Sequence, residues 1–158
     1  FDNANKEKFE YVRDRANWEQ FVKNLRQMKQ DGQNVNAHPA YSIYCALDLI
    51  EYYDFCVAQD IGLFWCELIN PIDLDVRRYS DIIRQGAIAE IDRVVEKYGH
   101  LNGLAIDTLK RYRMTLVDNS YLPDIHGFDP QKFHTDTERE LKTAHTFVQL
   151  WPKLANQI

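Results

Sequence analysis

Polar side chains at predicted strand ends are the residues of this sequence best placed to do chemistry. They fall at three successive ends: Asp2, then Asn36 and His38, then Glu67 and Asn70. Ligands of parallel α/β sheets and barrels bind beyond the carboxyl ends of the strands, so such side chains would line one mouth. They predict recognition of a polar small molecule. The alternative, that they are ordinary polar residues at the starts of loops, stays open.

Histidine and cysteine spacing gives no support for a metal site or a nucleophile. No two of the five histidines stand at the i, i+4 spacing that puts two imidazoles on one helix face, and no HExxH motif occurs. We therefore expect ordinary surface histidines. Cysteine separations of eleven and ten residues match no zinc or cluster spacing, which predicts buried free thiols at Cys45, Cys56 and Cys66 in a reducing compartment. Neither a GxSxG elbow nor a glycine-rich phosphate loop is present.

Composition narrows the class of protein. The sequence has 158 residues, of which 45% are hydrophobic and 27% charged, as in a globular domain. A net charge of -5 disfavours binding to nucleic acid or to an anionic membrane. No apolar run approaches the roughly 20 residues that span a bilayer, and no signal peptide opens the sequence. These features predict a cytoplasmic protein.

The first half alternates helices and strands. A helix is predicted over residues 17–31, capped by Asn17 and stopped at Gly32, and a second over about 46–59. Strands are predicted at about 35–43, interrupted by Pro39, and at 62–69. This order is typical of βα units on a parallel sheet. Since two strands make no stable parallel sheet, we expect either further strands within this sequence or sheet partners upstream of Phe1, where the sequence starts without methionine or capping element.

The second half is predicted to be entirely helical. Helices are expected from Ser80 to Gly99, over about 103–117, and from about 130 to 149, with a loop over 118–130. The first should bury a stripe of Ile82, Ile83, Ala87, Ile91, Val94 and Val95. The second should use Leu104, Leu109, Tyr112 and Leu116 in the same way. The sequence thus divides into an α/β part, residues 1–78, and a helical extension, residues 79–158.

Ordered blocks of the sequence resemble a known family. Phe1-Asp2-Asn3 followed by KFEYVRDRANWEQFVKNL is similar to the segment after a late barrel strand in radical S-adenosylmethionine (SAM) enzymes, with Val12-Arg13 matching a hydrophobic-Arg pair. The block AYSIYCALDLIEYYDFCVAQDIGLFWCELINPIDLDVRRY resembles twitch-domain radical SAM proteins of bacterial and phage genomes. The tail KFHTDTERELKTAHTFVQLWPKL resembles their terminal helix. The resemblance implies the last βα units of a partial (β/α)6 barrel, similar to a TIM barrel, followed by a helical carboxy-terminal extension.

The resemblance also implies an activity and a set of site residues. In the family, a 4Fe–4S cluster reduces SAM to a 5′-deoxyadenosyl radical that abstracts a substrate hydrogen. Asp2 matches the strand-end aspartate that lies near SAM in the family. Arg13 matches the arginine of the hydrophobic-Arg pair, and Asn36 matches a polar residue that contacts SAM. Glu67 and Asn70 would end the last strand near adenine or substrate. No metal ligand is implied in this sequence.

One departure from the family pattern limits the expected activity. The CxxxCxxC motif that holds the cluster is missing, so the sequence would be inactive without a cluster-binding half. Its expected partner is that amino-terminal half of the barrel, or another chain covering the open sheet edge. The alternative function is a non-catalytic helical module that binds a protein partner through its aromatic-rich tail.

Overall fold

A computed structural model describes residues 1–13, 15–66, 72–101, 103–118, 128–141 and 145–152 of the chain. The fold is mostly helical and contains one small parallel sheet. In chain order the elements are α1 (Lys6–Val12), α2 (Trp18–Gln30), β1 (Asn36–Ala37), α3 (Ile43–Ala46), α4 (Leu49–Ala58), β2 (Gly62–Leu63), α5 (Asp81–Tyr98), α6 (Gly103–Val117), α7 (Pro130–Leu141) and α8 (Phe147–Leu150). Two short 3-10 turns, Ile72–Leu74 and Val76–Arg78, precede α5.

The two predicted strands pair in parallel. Asn36 lies opposite Gly62, and an isolated parallel bridge joins Ala40 to Cys66. Backbone hydrogen bonds extend the ladder on both sides of Pro39, whose carbonyl accepts from the Cys66 amide at 2.9 Å. Pro39 has no amide hydrogen to donate, which accounts for the interruption between the strand and the bridge. The parallel pairing is confirmed, whereas the strands are shorter than predicted.

Parallel strands require a crossover, and helices α3 and α4 provide it. The prediction of strand structure up to Ile43 was wrong, because Ser42 caps a helical turn there and forms a capping box with Cys45. Helix α4 packs against β2 and α5. The α/β alternation is thus present as one strand–helix–strand unit, and the described ranges contain no barrel, which two strands cannot close.

Helix α2 confirms the prediction at both ends. The Asn17 side chain accepts a hydrogen bond from the Gln20 amide at 2.7 Å, and Gly32 adopts a φ of +74° after the helix. Its apolar face joins the amino-terminal segment to α4, because Phe1 packs on Phe21 and Tyr52 with ring centroids about 5 Å apart. The chain start is thereby held against the crossover helix.

Helices α5 and α6 lie where the sequence predicts them, with two errors in their buried faces. Ile83, Ala87, Ile91 and Val94 are buried, but Ile82 is 64% exposed. A helical step of about 100° separates Ile82 from Ile83, so only one of the two neighbours faces α4 and α6. Leu104 is likewise exposed at the start of α6, whereas Leu109 and Leu116 are buried.

The tail contains two helices where one was predicted. Helix α7 ends at Leu141 and α8 begins at Phe147. Thr146 caps α8 and forms a capping box with Gln149, so a new helix starts inside the predicted continuous one. The predicted loop over 118–130 lies largely outside the described residues, as does His126.

One core connects the α/β part to the helical extension. Its buried side chains run from Tyr11 in α1 to Trp151 after α8, on both sides of position 79. A polar contact reinforces it, because Asp48 accepts hydrogen bonds from Asn3, Lys8 and Trp151. The domain boundary at residue 79 stays a prediction.

His134 is buried, contrary to the expectation of surface histidines, whereas His38, His100 and His145 are exposed. Its ring stacks on Phe147 with centroids 3.6 Å apart, and its Nε2 lies 3.1 Å from the Tyr79 hydroxyl. That hydroxyl donates its one hydrogen to the Asp73 carbonyl, so Nε2 donates to the Tyr79 oxygen. The buried Nδ1 then has a lone pair and no partner. Burial accordingly lowers the pKa of His134 to about 4.

We expect stability to fall in acid because of His134. The unfolded chain takes up this proton below the usual pKa of 6.5 and the folded chain only near 4, so the contribution is complete above pH 6.5 and is lost as the pH falls towards 4. Its full size is roughly 3 kcal/mol. Denaturant unfolding at several pH values should show this loss in the native chain and its removal in His134→Phe. The control variant His100→Gln, at an exposed histidine, should keep the loss of stability in acid. An unchanged pH profile in His134→Phe would contradict the attribution of this loss to His134.

Candidate functional site

A cavity of about 320 Å³ lies beyond the bridge at the carboxyl end of the strand pair. Four parts of the chain form its walls: Tyr41 after the Ala40 bridge, Trp65 before Cys66, the segment of the second 3-10 turn, and α6. Its lining residues are Tyr41, Trp65, Asp75, Val76, Arg77, Thr108, Arg111, Tyr112, Thr115 and Leu116. Ligand sites of α/β proteins occupy this position relative to parallel strands.

Two walls of the cavity are hydrogen-bonded to one backbone carbonyl at the end of the strand ladder. The Tyr41 amide donates to the Cys66 carbonyl at 3.3 Å, which is the last bond of the ladder. The Tyr112 hydroxyl donates to that carbonyl at 3.1 Å. Helix α6 is therefore attached to the strand end by a side chain, and the space between them becomes a defined cavity.

Aromatic rings form one side of the cavity. Tyr41 and Tyr112 stack with centroids 4.8 Å apart and an interplanar angle of 11°. The Trp65 ring meets Tyr41 edge-on at 6.0 Å, and its Nε1 donates to the Tyr53 hydroxyl at 3.0 Å. This hydrogen bond satisfies the indole and fixes its orientation. Such a wall favours a flat, apolar part of a ligand.

Charged groups also line the cavity. Asp75 is largely buried and accepts two hydrogen bonds from Nε of Arg77, at 2.9 and 3.0 Å, with a further one from Nη2. The Arg77 amide also donates to Asp75, at 2.9 Å. Arg111 bonds to the Thr108 hydroxyl at 3.0 Å, and no carboxylate in the described part of the chain pairs with it. One positive charge at the cavity thus has no acidic counterpart there.

Tyr41 carries a buried hydroxyl. The side chain is only 6% exposed, and its oxygen makes no hydrogen bond within the described part of the chain. Burial raises the pKa of Tyr41 well above the usual range of tyrosine, so the hydroxyl is a neutral donor. An enclosed polar group of this kind costs stability unless an acceptor reaches it.

Two of the site residues predicted from the family resemblance are in direct contact. Nε of Arg13 donates to Oδ2 of Asp2 at 2.7 Å, and the Asp2 side chain is 13% exposed. Oδ1 of Asp2 makes no hydrogen bond to any residue that the structure describes. The adjacent Asn3 is buried and donates to the Tyr44 carbonyl at 2.8 Å. The Asp2 carboxylate therefore keeps one acceptor oxygen available.

None of the site residues predicted from the sequence lines the cavity, and this includes Asp2 and Arg13. Asn36 is exposed at the amino end of the ladder, and its side chain covers Gly62, where an added Cβ would lie 2.2 Å from Oδ1. His38 stacks on Phe64 at the surface. Glu67 and Asn70 lie outside the described residues.

The cysteines do not fit a cluster site within this chain. Cys45 and Cys56 are buried, and burial raises the pKa of each thiol to about 12, which disfavours the thiolate that binds iron. Cys66 is exposed, so the expectation of burial was wrong for this residue. It follows Trp65 on the strand, where successive side chains point to opposite faces. No group of three or more potential metal ligands occurs among the described residues.

Sequence reasoning missed the residues that form the cavity. Tyr41 lies in the second half of the predicted strand, and an acid and an arginine two apart, Asp75 and Arg77, precede the helical extension. The rule that ligands bind beyond strand ends was applied to Asn36 and His38, which precede Pro39, although the backbone ladder continues beyond Pro39. The α6 residues Arg111 and Tyr112 are brought there only by tertiary packing.

Comparisons with protein-family models, with curated proteins and with solved structures find no match to this chain. Within the described ranges, no helix is long and apolar enough to cross a membrane.

The Tyr41 hydroxyl should destabilise the ligand-free chain. We expect Tyr41→Phe to raise the free energy of unfolding by about 1 kcal/mol, because it removes a buried donor that has no acceptor. The matched control is Tyr53→Phe. This substitution should lower the free energy of unfolding by a similar amount, because the Trp65 indole then loses its hydrogen-bond acceptor. Urea unfolding measures both changes. Equal destabilisation by the two substitutions would contradict the assignment.

Proposed function

We propose that this chain is the carboxy-terminal portion of a radical SAM enzyme. In this proposal it forms the last βα units of a partial (β/α)6 barrel and a helical extension, and it contributes part of the SAM and substrate site. The reaction is hydrogen abstraction by a 5′-deoxyadenosyl radical, for which the cluster and SAM supply the chemistry. The chain is inactive without the cluster-binding half, and the enzyme is cytoplasmic.

The observation that carries the proposal is the parallel register of β1 and β2. It sets β2, which lies in the block resembling twitch-domain radical SAM proteins, beside β1, which precedes that block in the sequence. Their carboxyl ends meet at one edge, and a cavity opens beyond them. Barrel enzymes bind their substrates at this end of the strands. The helical connection between the strands is also the connection that a βα barrel uses.

The amino-terminal residues support a SAM contact. Asp2 has a free carboxylate oxygen, and Arg13 holds the other one, so the side chain has a fixed orientation. A carboxylate held in this way is suited to accept hydrogen bonds from ribose hydroxyls. In the proposed enzyme, Asp2 therefore contacts SAM and Arg13 positions Asp2.

The cluster ligands must come from outside these 158 residues, since the three cysteines do not fit the task. The described sheet has two strands, and no third strand pairs with either of them. In the proposed enzyme, the amino-terminal half of the barrel supplies the cluster motif and pairs with the open edge. Such pairing would also remove an exposed strand edge, which proteins usually protect.

A helical protein-interaction module remains the second candidate. Exposed apolar side chains in the helical extension favour it, including Ile82, Leu104 and Met114, each more than half exposed. Hydrogen exchange on the 158-residue chain separates the two. Strong protection throughout residues 33–44 and 62–69 would favour an independent module, because strands awaiting a missing half should exchange quickly.

The decisive experiment uses the chain joined to the upstream part of its gene. Reconstituted with iron and sulfide and supplied with reductant, the protein should cleave SAM and release 5′-deoxyadenosine. Asp2→Asn should raise the KM for SAM about tenfold, the loss expected for one charged hydrogen bond. Asp60→Asn, which removes an exposed surface ion pair, should leave it unchanged. Lack of 5′-deoxyadenosine in the reconstituted protein, or an upstream sequence without CxxxCxxC, would refute the proposal.

A further inference from the structure

We infer that the cavity beyond the strand pair binds a small ligand that combines a flat aromatic ring with an oxyanion, either a carboxylate or a phosphate. The inference comes from the walls of the cavity and needs no cluster or SAM. Only the role of this ligand as the substrate, or as part of it, rests on the proposed function.

The charged residues that line the cavity favour the binding of an anion. Asp75 and Arg77 neutralise each other through a multiply hydrogen-bonded pair, and the guanidinium of Arg111 has no carboxylate partner among the residues that the structure describes. Thr108 accepts a hydrogen bond from that guanidinium and directs its own hydroxyl hydrogen to the Leu104 carbonyl at 2.9 Å. The Thr108 contact orients Arg111 and occupies Nη2 only, so other N–H groups stay available for the two oxygens of an oxyanion.

The aromatic residues that line the cavity favour a ligand with a planar ring. The stacked rings of Tyr41 and Tyr112, with Trp65 edge-on to Tyr41, line the same cavity as the charged groups. Because ring pairs favour offset stacking or edge contacts, a planar ligand gains more here than a saturated one of equal size.

The cavity volume limits the size of the ligand. At about 320 Å³ it lies at the lower end of small-molecule pockets, which suits a substituted single ring better than a nucleotide. Benzoate and phenyl phosphate are therefore suitable probes for the two sources of the oxyanion. Benzamide, which has the ring without the charge, and inorganic phosphate, which has the charge without the ring, test each half of the requirement.

The experiment is calorimetric titration of the full 158-residue chain with each probe. We expect saturable, one-to-one binding of benzoate or phenyl phosphate, and affinities at least tenfold lower for benzamide and inorganic phosphate. Stronger binding of benzoate would identify a carboxylate ligand, and stronger binding of phenyl phosphate a phosphate ligand. Either result supports the inference.

A matched pair of variants assigns the binding to this cavity. Arg111→Gln should weaken binding of the preferred anion about tenfold, whereas Lys110→Gln should change it less than twofold. Lys110 is the neighbouring cation, does not line the cavity and pairs only weakly with Asp107 at 3.7 Å. Both lysine and arginine are exposed on α6, so both variants should keep the melting temperature of the native chain.

Three results would overturn the inference: no saturable binding of either anion, equal binding of inorganic phosphate, or equal loss in Arg111→Gln and Lys110→Gln. None of these depends on radical chemistry. If the chain binds the anion but the reconstituted protein makes no 5′-deoxyadenosine, the proposed function fails and the ligand site stands. The reverse combination refutes the site alone.

Discussion

The parallel ladder between residues 35–41 and 62–66 is the constraint on which the rest of the structure depends. Strands that run in the same direction cannot be joined by a tight turn, so the intervening chain must cross over the sheet as helices α3 and α4. Helix α4 then presents a face on which α5 packs, and α6 packs on α5. The Cys66 carbonyl, which is the last in the ladder, accepts a hydrogen bond from the Tyr112 hydroxyl. This bond holds α6 at the edge of the cavity.

Local signals in the sequence were sufficient to predict the long helices. Asn17 with Gly32 for α2, and the apolar periodicity of α5 and α6, identify elements whose ends depend on capping and turn chemistry within a few residues. The errors arose where tertiary contacts decide. His134 is polar and lies on an amphipathic helix, yet Phe147 and Tyr79 enclose it from another part of the chain. No pattern near position 134 indicates that.

The rule that ligands bind beyond parallel strands was applied to the two strands that do pair, but not to the residues that line the cavity. It was applied at Asn36 and His38, although the predicted strand continued past Pro39. Pro39 still accepts through its carbonyl, so the ladder reaches Tyr41. Arg111 and Tyr112 are more than seventy positions away from Asn36, and only the packing of α6 brings them to that edge. Contacts over this separation are not encoded in any local spacing.

Asp48 has a consequence for how this chain can vary. Asn3 and Lys8 reach it from the beginning of the chain, and Trp151 from the last described segment. A single carboxylate at the start of the crossover helix thus serves as a common anchor for both ends. Substitution of Asp48 would therefore remove polar contacts of both segments at once, while the aromatic packing of Phe1 and Trp151 would remain.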